Sequence, residues 1–221
     1  MTWLFMIRHG ITAWNADRRV QGHTDVPLSD HGRQILVEQS VPRVFAPFRV
    51  VSSPLLRARQ TAEMLSCPVE RQEPALIEMS WGEWEGRTLD SLRKEDGARM
   101  RLREARGLDF QPPGGESPRQ VQARLLRLFR QLARDGRPTI AFTHKGVIRA
   151  GLALACDWDM LGRMPVRLDW RRGHLFRLGM DGAPQLVQPN IRLAQEVQVP
   201  GLQTDDKPAQ RHGIDAADRN A

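Results

Sequence analysis

The chain has two cysteines, Cys67 and Cys156, in 221 residues. Two cannot make a disulfide framework, and both are expected to be reduced, buried thiols. Only three lysines occur, Lys94, Lys145 and Lys207, so nearly all of the 33 basic residues are arginine. These arginines stand in ones and twos, with no basic run of five and no alternation with aromatics. That scatter does not resemble a nucleic-acid surface, despite a formal charge of +7. Base-composition bias in the coding sequence is the simpler source of arginine in place of lysine. No apolar run reaches the 18 or so residues that span a bilayer. The apolar stretch near the N-terminus is too short for a secretory signal and lacks a basic flank before it, so a cytoplasmic location is expected. No HxH or HxxxH pair and no clustered Asp/His set has metal-ligand spacing, and neither metal nor cofactor is expected. Internal repeats are absent.

What is present is a soluble globular composition, 40% hydrophobic and 27% charged, with enough residues for one domain with a sizeable core. Strand-like and helix-like patterns alternate, which predicts an α/β fold: a three-layer sandwich with a mostly parallel central sheet flanked by helices. Residues 3–8 read as a buried strand. Ser29 reads as the cap of a helix to about residue 44, and 49–52 as a short strand. Ser53-Pro54 reads as a cap followed by a proline at the first helical position. A helix is expected over about 88–105. Ser117-Pro118-Arg119-Gln120 is a capping box opening a helix whose face carries Val121, Leu125, Leu128 and Leu132. Residues 139–143 form a second buried strand, 147–155 a helix, and 167–170 with 174–178 closing strands or a hairpin. The pattern stops near 195. Residues 196–221 hold three basic and five acidic residues and few apolar ones, so a disordered tail is expected after a domain spanning 1–195. The remaining 30 basic and 21 acidic residues give that domain about +9.

Two strand ends echo each other. Ile7-Arg8-His9-Gly10 and Phe142-Thr143-His144-Lys145-Gly146 each end an apolar run in a histidine with a glycine close behind. In one parallel sheet both histidines would emerge at the C-terminal edge, where open α/β sheets place ligand sites. Imidazole can attack phosphorus, Arg8 can hold an oxygen in a fork, and Gly10 lets backbone amides approach an anion. Arg57 falls in the first turn of the helix after the 49–52 strand, at the same edge and beside a positive helix end.

The run Arg8-His9-Gly10-Ile11-Thr12-Ala13-Trp14-Asn15 resembles the signature of the histidine phosphatase superfamily, which includes the cofactor-dependent phosphoglycerate mutases. The resemblance continues in order through 22–28, 53–62, 76–86, 114–117 and 144–149, covering roughly 4–180. It implies that His9 is the nucleophile that becomes phosphorylated. It implies that Arg8, Arg57 and His144 bind the phosphoryl oxygens, and that Asn15 helps hold them. Glu78 matches the family's proton donor, with Glu83 and Glu85 as rival acids better read as parts of a glycine-hinged loop. The loop carrying His23 and Thr24 resembles the family's substrate side. Lys145 departs from the small residue usual after the second histidine; it is either a cation for a second anionic group or a solvated charge. The other histidines, His31, His174 and His212, read as surface or packing residues.

The compact middle and the Gly82-Glu83-Trp84-Glu85-Gly86 segment resemble the phosphatase branch. The expected activity is therefore metal-independent hydrolysis of a small phosphomonoester, of histidine acid phosphatase type. Mutase-type phosphoryl transfer and non-catalytic binding of a phospho-ligand are the alternatives. A small phosphorylated metabolite is the expected partner, with no nucleic acid or membrane, and a monomer and a dimer remain equally open.

Overall fold

A computed structural model describes residues 1–194, 196–199 and 201–202. Six strands form one sheet: β1 (Thr2–Arg8), β2 (Arg49–Ser52), β3 (Arg71–Gln72), β4 (Thr139–Thr143), β5 (Gly173–Leu178) and β6 (Pro184–Ile191). Their order is β3-β2-β4-β1-β5-β6. The first four are mutually parallel where they pair, and β5 and β6 are antiparallel additions. The helices are α1 (Ala13–Ala16), α2 (Asp30–Val37), α3 (Leu56–Met64), α4 (Leu89–Glu104), α5 (Pro118–Asp135) and α6 (Lys145–Cys156).

Strand period 2 divides the apolar residues between two faces. Leu4, Met6, Val51, Ala141, Phe176 and Leu178 pack with Val121, Leu125 and Leu128 of α5 and Val147 and Ile148 of α6. Phe5, Ile7, Val50, Ile140, Phe142 and Leu175 pack with Leu36 of α2, Ala62 of α3 and Phe45. Phe5 stacks on Phe45 with ring centroids 4.0 Å apart. The result is the expected three-layer α/β sandwich. The central strands are buried on both sides, which is why they read as continuous apolar runs.

Several local expectations need correction. The helix opened by Ser29 ends at Val37, not near 44, and a separate 3-10 turn spans Arg43–Phe45. Pro42 lacks an N–H and disfavours the α conformation at Val41, which breaks the helix. Ser53 does not cap α3, whose first residue is Leu56. The Leu56 N–H is instead taken by the Asp25 carboxylate at 2.7 Å, a cap supplied from another loop. Residues 167–170 are not a strand: Asp169 N–H donates to Asn190 Oδ1 at 2.6 Å and Asn190 Nδ2 donates to the Arg167 carbonyl at 2.9 Å. The hairpin pairs β5 with β6, whose prolines are tolerated because β6 is an edge strand. Neither thiol is fully buried: Cys156 is exposed, and Cys67 is half-buried with its pKa pushed up to about 11 by burial. Val199 is buried and Val197 and Leu202 pack beside it, so the core continues past residue 195. The disorder expected of the tail otherwise concerns 203–221, which lie outside the described residues, as does His212.

His174 is fully buried on β5, where its Nδ1 accepts the Asn190 N–H at 3.2 Å. Its pKa is lowered by burial to about 4. As pH falls below 6.5 the unfolded chain takes up this proton first, so stability declines from pH 6.5 down to 4. The separation corresponds to about 3 kcal/mol. Urea midpoints of His174→Gln are therefore expected to fall less over that window than those of the wild type. Equal slopes would show that His174 does not contribute.

Candidate active site

Three neighbouring strand ends build the site. Register pairs Arg8 with Thr143 and Ser52 with Phe142, so His9, His144 and Ser53 leave the sheet side by side. The His9 N–H donates to the Thr143 carbonyl at 2.9 Å and the Ser53 N–H to the Phe142 carbonyl at 2.8 Å, extending the ladder one residue past each strand. The rings of His9 and His144 lie 5.1 Å apart.

His9 is 5% exposed and His144 is 0% exposed. His9 Nδ1 lies 2.7 Å from the Gly10 carbonyl. A carbonyl only accepts, so the proton sits on Nδ1 and Nε2 carries the free lone pair. Burial, then Arg8 and Arg57, hold the His9 pKa well below the ordinary histidine value. His144 is lowered in the same way by burial, His9, Arg57 and Arg8, so both rings are neutral near pH 7. His144 Nε2 lies 2.7 Å from the Ser53 hydroxyl.

Arg57, 0% exposed, is held by two backbone carbonyls, donating from NH1 to Thr24 at 2.9 Å and from NH2 to Gly22 at 2.8 Å. The 22–24 loop is in turn organised by Glu85. Its carboxylate accepts the N–H groups of His23 and Thr24 at 2.8 and 2.7 Å, the Thr24 hydroxyl at 2.5 Å and the Trp81 N–H at 3.2 Å. Burial pushes the Glu85 pKa up, but these donors outweigh it and the group stays below its ordinary value. A side chain on Gly22 would collide with this carboxylate. Glu85 thus belongs to the scaffold, as the loop reading expected.

Glu78 is 6% exposed, its Oε1 accepting the Met79 N–H at 2.8 Å and its Oε2 the Gly146 N–H at 3.1 Å. Burial raises its pKa and prevails over those two amides and over Arg57 and Arg8, all of which favour the ionised form. A Cβ at position 146 would strike the Glu78 carboxyl, so any other residue there would displace Glu78.

Three nitrogen atoms in this cluster are buried with no hydrogen-bond partner: the donors Arg8 Nε and Arg57 Nε, and His144 Nδ1. Two cavities open on His9. One, of about 290 Å³, is lined by Arg8, Asn15, Arg18, Gln21, Glu78, Trp81, Lys145 and Arg149 among others. The other, of about 640 Å³, shares Arg8, His9, Asn15 and Lys145 and adds Gly10, Ile11 and Trp170. Among the described residues no three His, Cys, Asp or Glu side chains converge as a metal site. No helix among them is long and apolar enough to cross a membrane.

The sequence profile of the histidine phosphatase superfamily (branch 1) matches residues 4–183. The chain belongs to this superfamily. A "Probable phosphoglycerate mutase GpmB" of Klebsiella pneumoniae is 32% identical over 199 residues, 85% of this chain and 89% of that one. A mycobacterial glucosyl-3-phosphoglycerate phosphatase, solved with VO3, superposes with a TM-score of 0.69 at 28% identity, covering 86% of this chain and all of that one. The alpha-ribazole phosphatase of Shigella flexneri shares the fold, with a TM-score of 0.68 at 24% identity over 90% of this chain and all of that one.

In this superfamily member the structure brings together Arg8, His9, Arg57, Glu78 and His144, with Gly10, Asn15 and Lys145 on the cavity walls. Asn15 also closes the capping box of α1, its Oδ1 accepting the Thr12 N–H at 3.1 Å. His23 and Thr24 line neither cavity; His23 Nε2 donates to the Glu78 carbonyl at 2.9 Å, and Thr24 holds Arg57. Three neighbours escape a reading of the sequence. Ser53 contacts His144, and Thr61 Oγ1 accepts the Gly10 N–H at 2.9 Å while donating to the Arg57 carbonyl at 2.6 Å. Arg124 ties the carbonyls of Ala75 and Glu78 to the Glu116 carboxylate. Arg124 borders the apolar face of α5, and nothing in that pattern separates it from a solvated arginine.

Proposed function

We propose that this protein is a phosphatase that hydrolyses a small phosphomonoester through a phosphohistidine on His9. The observation that carries this reading is the set of unpartnered buried nitrogens, the N–H donors of Arg8 and Arg57 and Nδ1 of His144, beside an imidazole whose Nε2 is deprotonated. Donors fixed in a dry site match the charge that develops on phosphoryl oxygens. The likeness to a phosphatase solved with VO3, a phosphate-like oxyanion, supports it.

In the first step the His9 Nε2 lone pair forms a bond to phosphorus while the P–O bond to the leaving group breaks. Glu78, whose pKa is raised by burial, gives its proton to the leaving oxygen. In the second step water attacks phosphorus, the P–N bond breaks, Glu78 takes the water's proton, and inorganic phosphate leaves. Transfer of the phosphoryl group to a second hydroxyl, the mutase reading, is favoured by the names of the curated relatives. It predicts isomerisation without net phosphate release.

The test is phosphate release with EDTA present. Glu78→Gln is expected to slow propyl phosphate, a poor leaving group, by about 10²–10⁴-fold, and p-nitrophenyl phosphate far less. Glu78 loses its proton as pH rises, so wild-type kcat/KM for propyl phosphate should fall on the alkaline side, and Glu78→Gln should lack that limb. Equal losses for the two esters would assign the proton to another group. Release that EDTA abolishes would point to a metal-dependent hydrolase.

A further inference from the structure

The cavity of about 290 Å³ beside His9 is lined by five cations, Arg8, Arg18, Arg19, Lys145 and Arg149, against one acid, Glu78. Arg19 is neutralised by Asp17 at 3.4 Å. Among the described residues Arg18, Lys145 and Arg149 make no ion pair. A phosphoryl dianion answers the charges of Arg8 and Arg57, which leaves these three unmatched.

Two of these heads rest on aromatic rings. Lys145 Nζ lies 5.3 Å over the Trp170 ring, and the Arg149 guanidinium 5.5 Å over Trp158. Arg18 is exposed, and its backbone sits in the left-handed region at φ 55°. Burial, then the charges of Arg8 and Arg149, lower the Lys145 pKa; burial lowers that of Arg149, partly offset by Glu78. Clustered cations that repel one another are stabilised by an anion among them.

We propose that Lys145, Arg149 and Arg18 form a subsite for a second anionic group, a carboxylate or a second phosphate, on a substrate whose phosphoryl group lies at His9. The proposal rests on the phosphatase reading for the position of that phosphoryl group. Lys145 is its distinctive element, because it alone of the three lines both cavities that open on His9.

Three primary alkyl esters test it: propyl phosphate, 2-carboxyethyl phosphate and propane-1,3-diyl bisphosphate. The wild type is expected to favour each charged ester over propyl phosphate by about tenfold or more in kcat/KM, the effect of one charge-assisted contact. The two charged arms tell carboxylate from phosphate. Added salt should narrow the preference. Lys145→Met should lower the ratio several-fold and Lys145→Met/Arg149→Met should bring it near one, while Lys145→Arg keeps it. Equal rates for all three esters, or a preference that survives the double substitution, would overturn the subsite. If no ester is hydrolysed, the phosphatase reading fails, and calorimetric binding of the same probes decides the subsite. Tighter binding of the charged probes, lost in the double variant, would support it, and equal binding would overturn it.

Discussion

His9→Ala is expected to abolish phosphate release, lowering kcat by a factor on the order of 10⁴ or more, because the nucleophile is gone and the remaining donors cannot replace it. The fold should survive. The His9 side chain makes one hydrogen bond, to the carbonyl of its own neighbour, so the loss is about 1 kcal/mol. For a chain of this size that moves the thermal midpoint by only about 2–4 °C. Denaturing the wild type during turnover of a radiolabelled ester should leave label on the protein that is lost in acid and survives base, the behaviour of a P–N bond. The variant should carry none. Undiminished release by His9→Ala, or acid-stable label, would refute the assignment. A non-catalytic phospho-ligand protein would instead retain phosphate binding in this variant and show no turnover in the wild type.

Arg57→Ala should be the next most damaging change, with kcat/KM lowered by about 10³-fold. Two roles end together. On the proposed mechanism the phosphoryl oxygens would lose a cation, and the carbonyls of Gly22 and Thr24 would lose their donor. Those carbonyls would be left without a partner in the interior, at about 1–3 kcal/mol each. The thermal midpoint should fall accordingly, which distinguishes Arg57 from His9. Arg57→Lys keeps the charge and loses the fork, so it should recover stability better than activity. A variant within tenfold of wild type would mean that the phosphoryl oxygens are held by other groups. Glu85 lies one contact farther out: it organises the loop whose carbonyls hold Arg57, so it acts as a positioning residue in the same system.

The sequence by itself determined the class of fold and the two histidines. Buried parallel strands must be apolar throughout, and that makes 3–8 and 139–143 conspicuous; a histidine ending each one then points to a shared sheet edge. Caps were legible at Ser29 and Ser117, because a cap is a contact between residues three apart. Legibility failed where a partner is distant in the chain. Ser53 looked like a cap because serine before proline is a local signal, yet its hydroxyl meets His144, 91 residues away. β6 was hidden by its prolines, which an edge position tolerates and a sequence cannot reveal. Only tertiary structure decided that Glu78 is buried and its pKa thereby raised, that His23 and Thr24 contact Glu78, Glu85 and Arg57 rather than a cavity, and that Lys145 shares a cavity with Arg149 and Arg18. Burial and charge proximity arise when elements distant in the chain pack together, and these set the protonation states on which the chemistry depends.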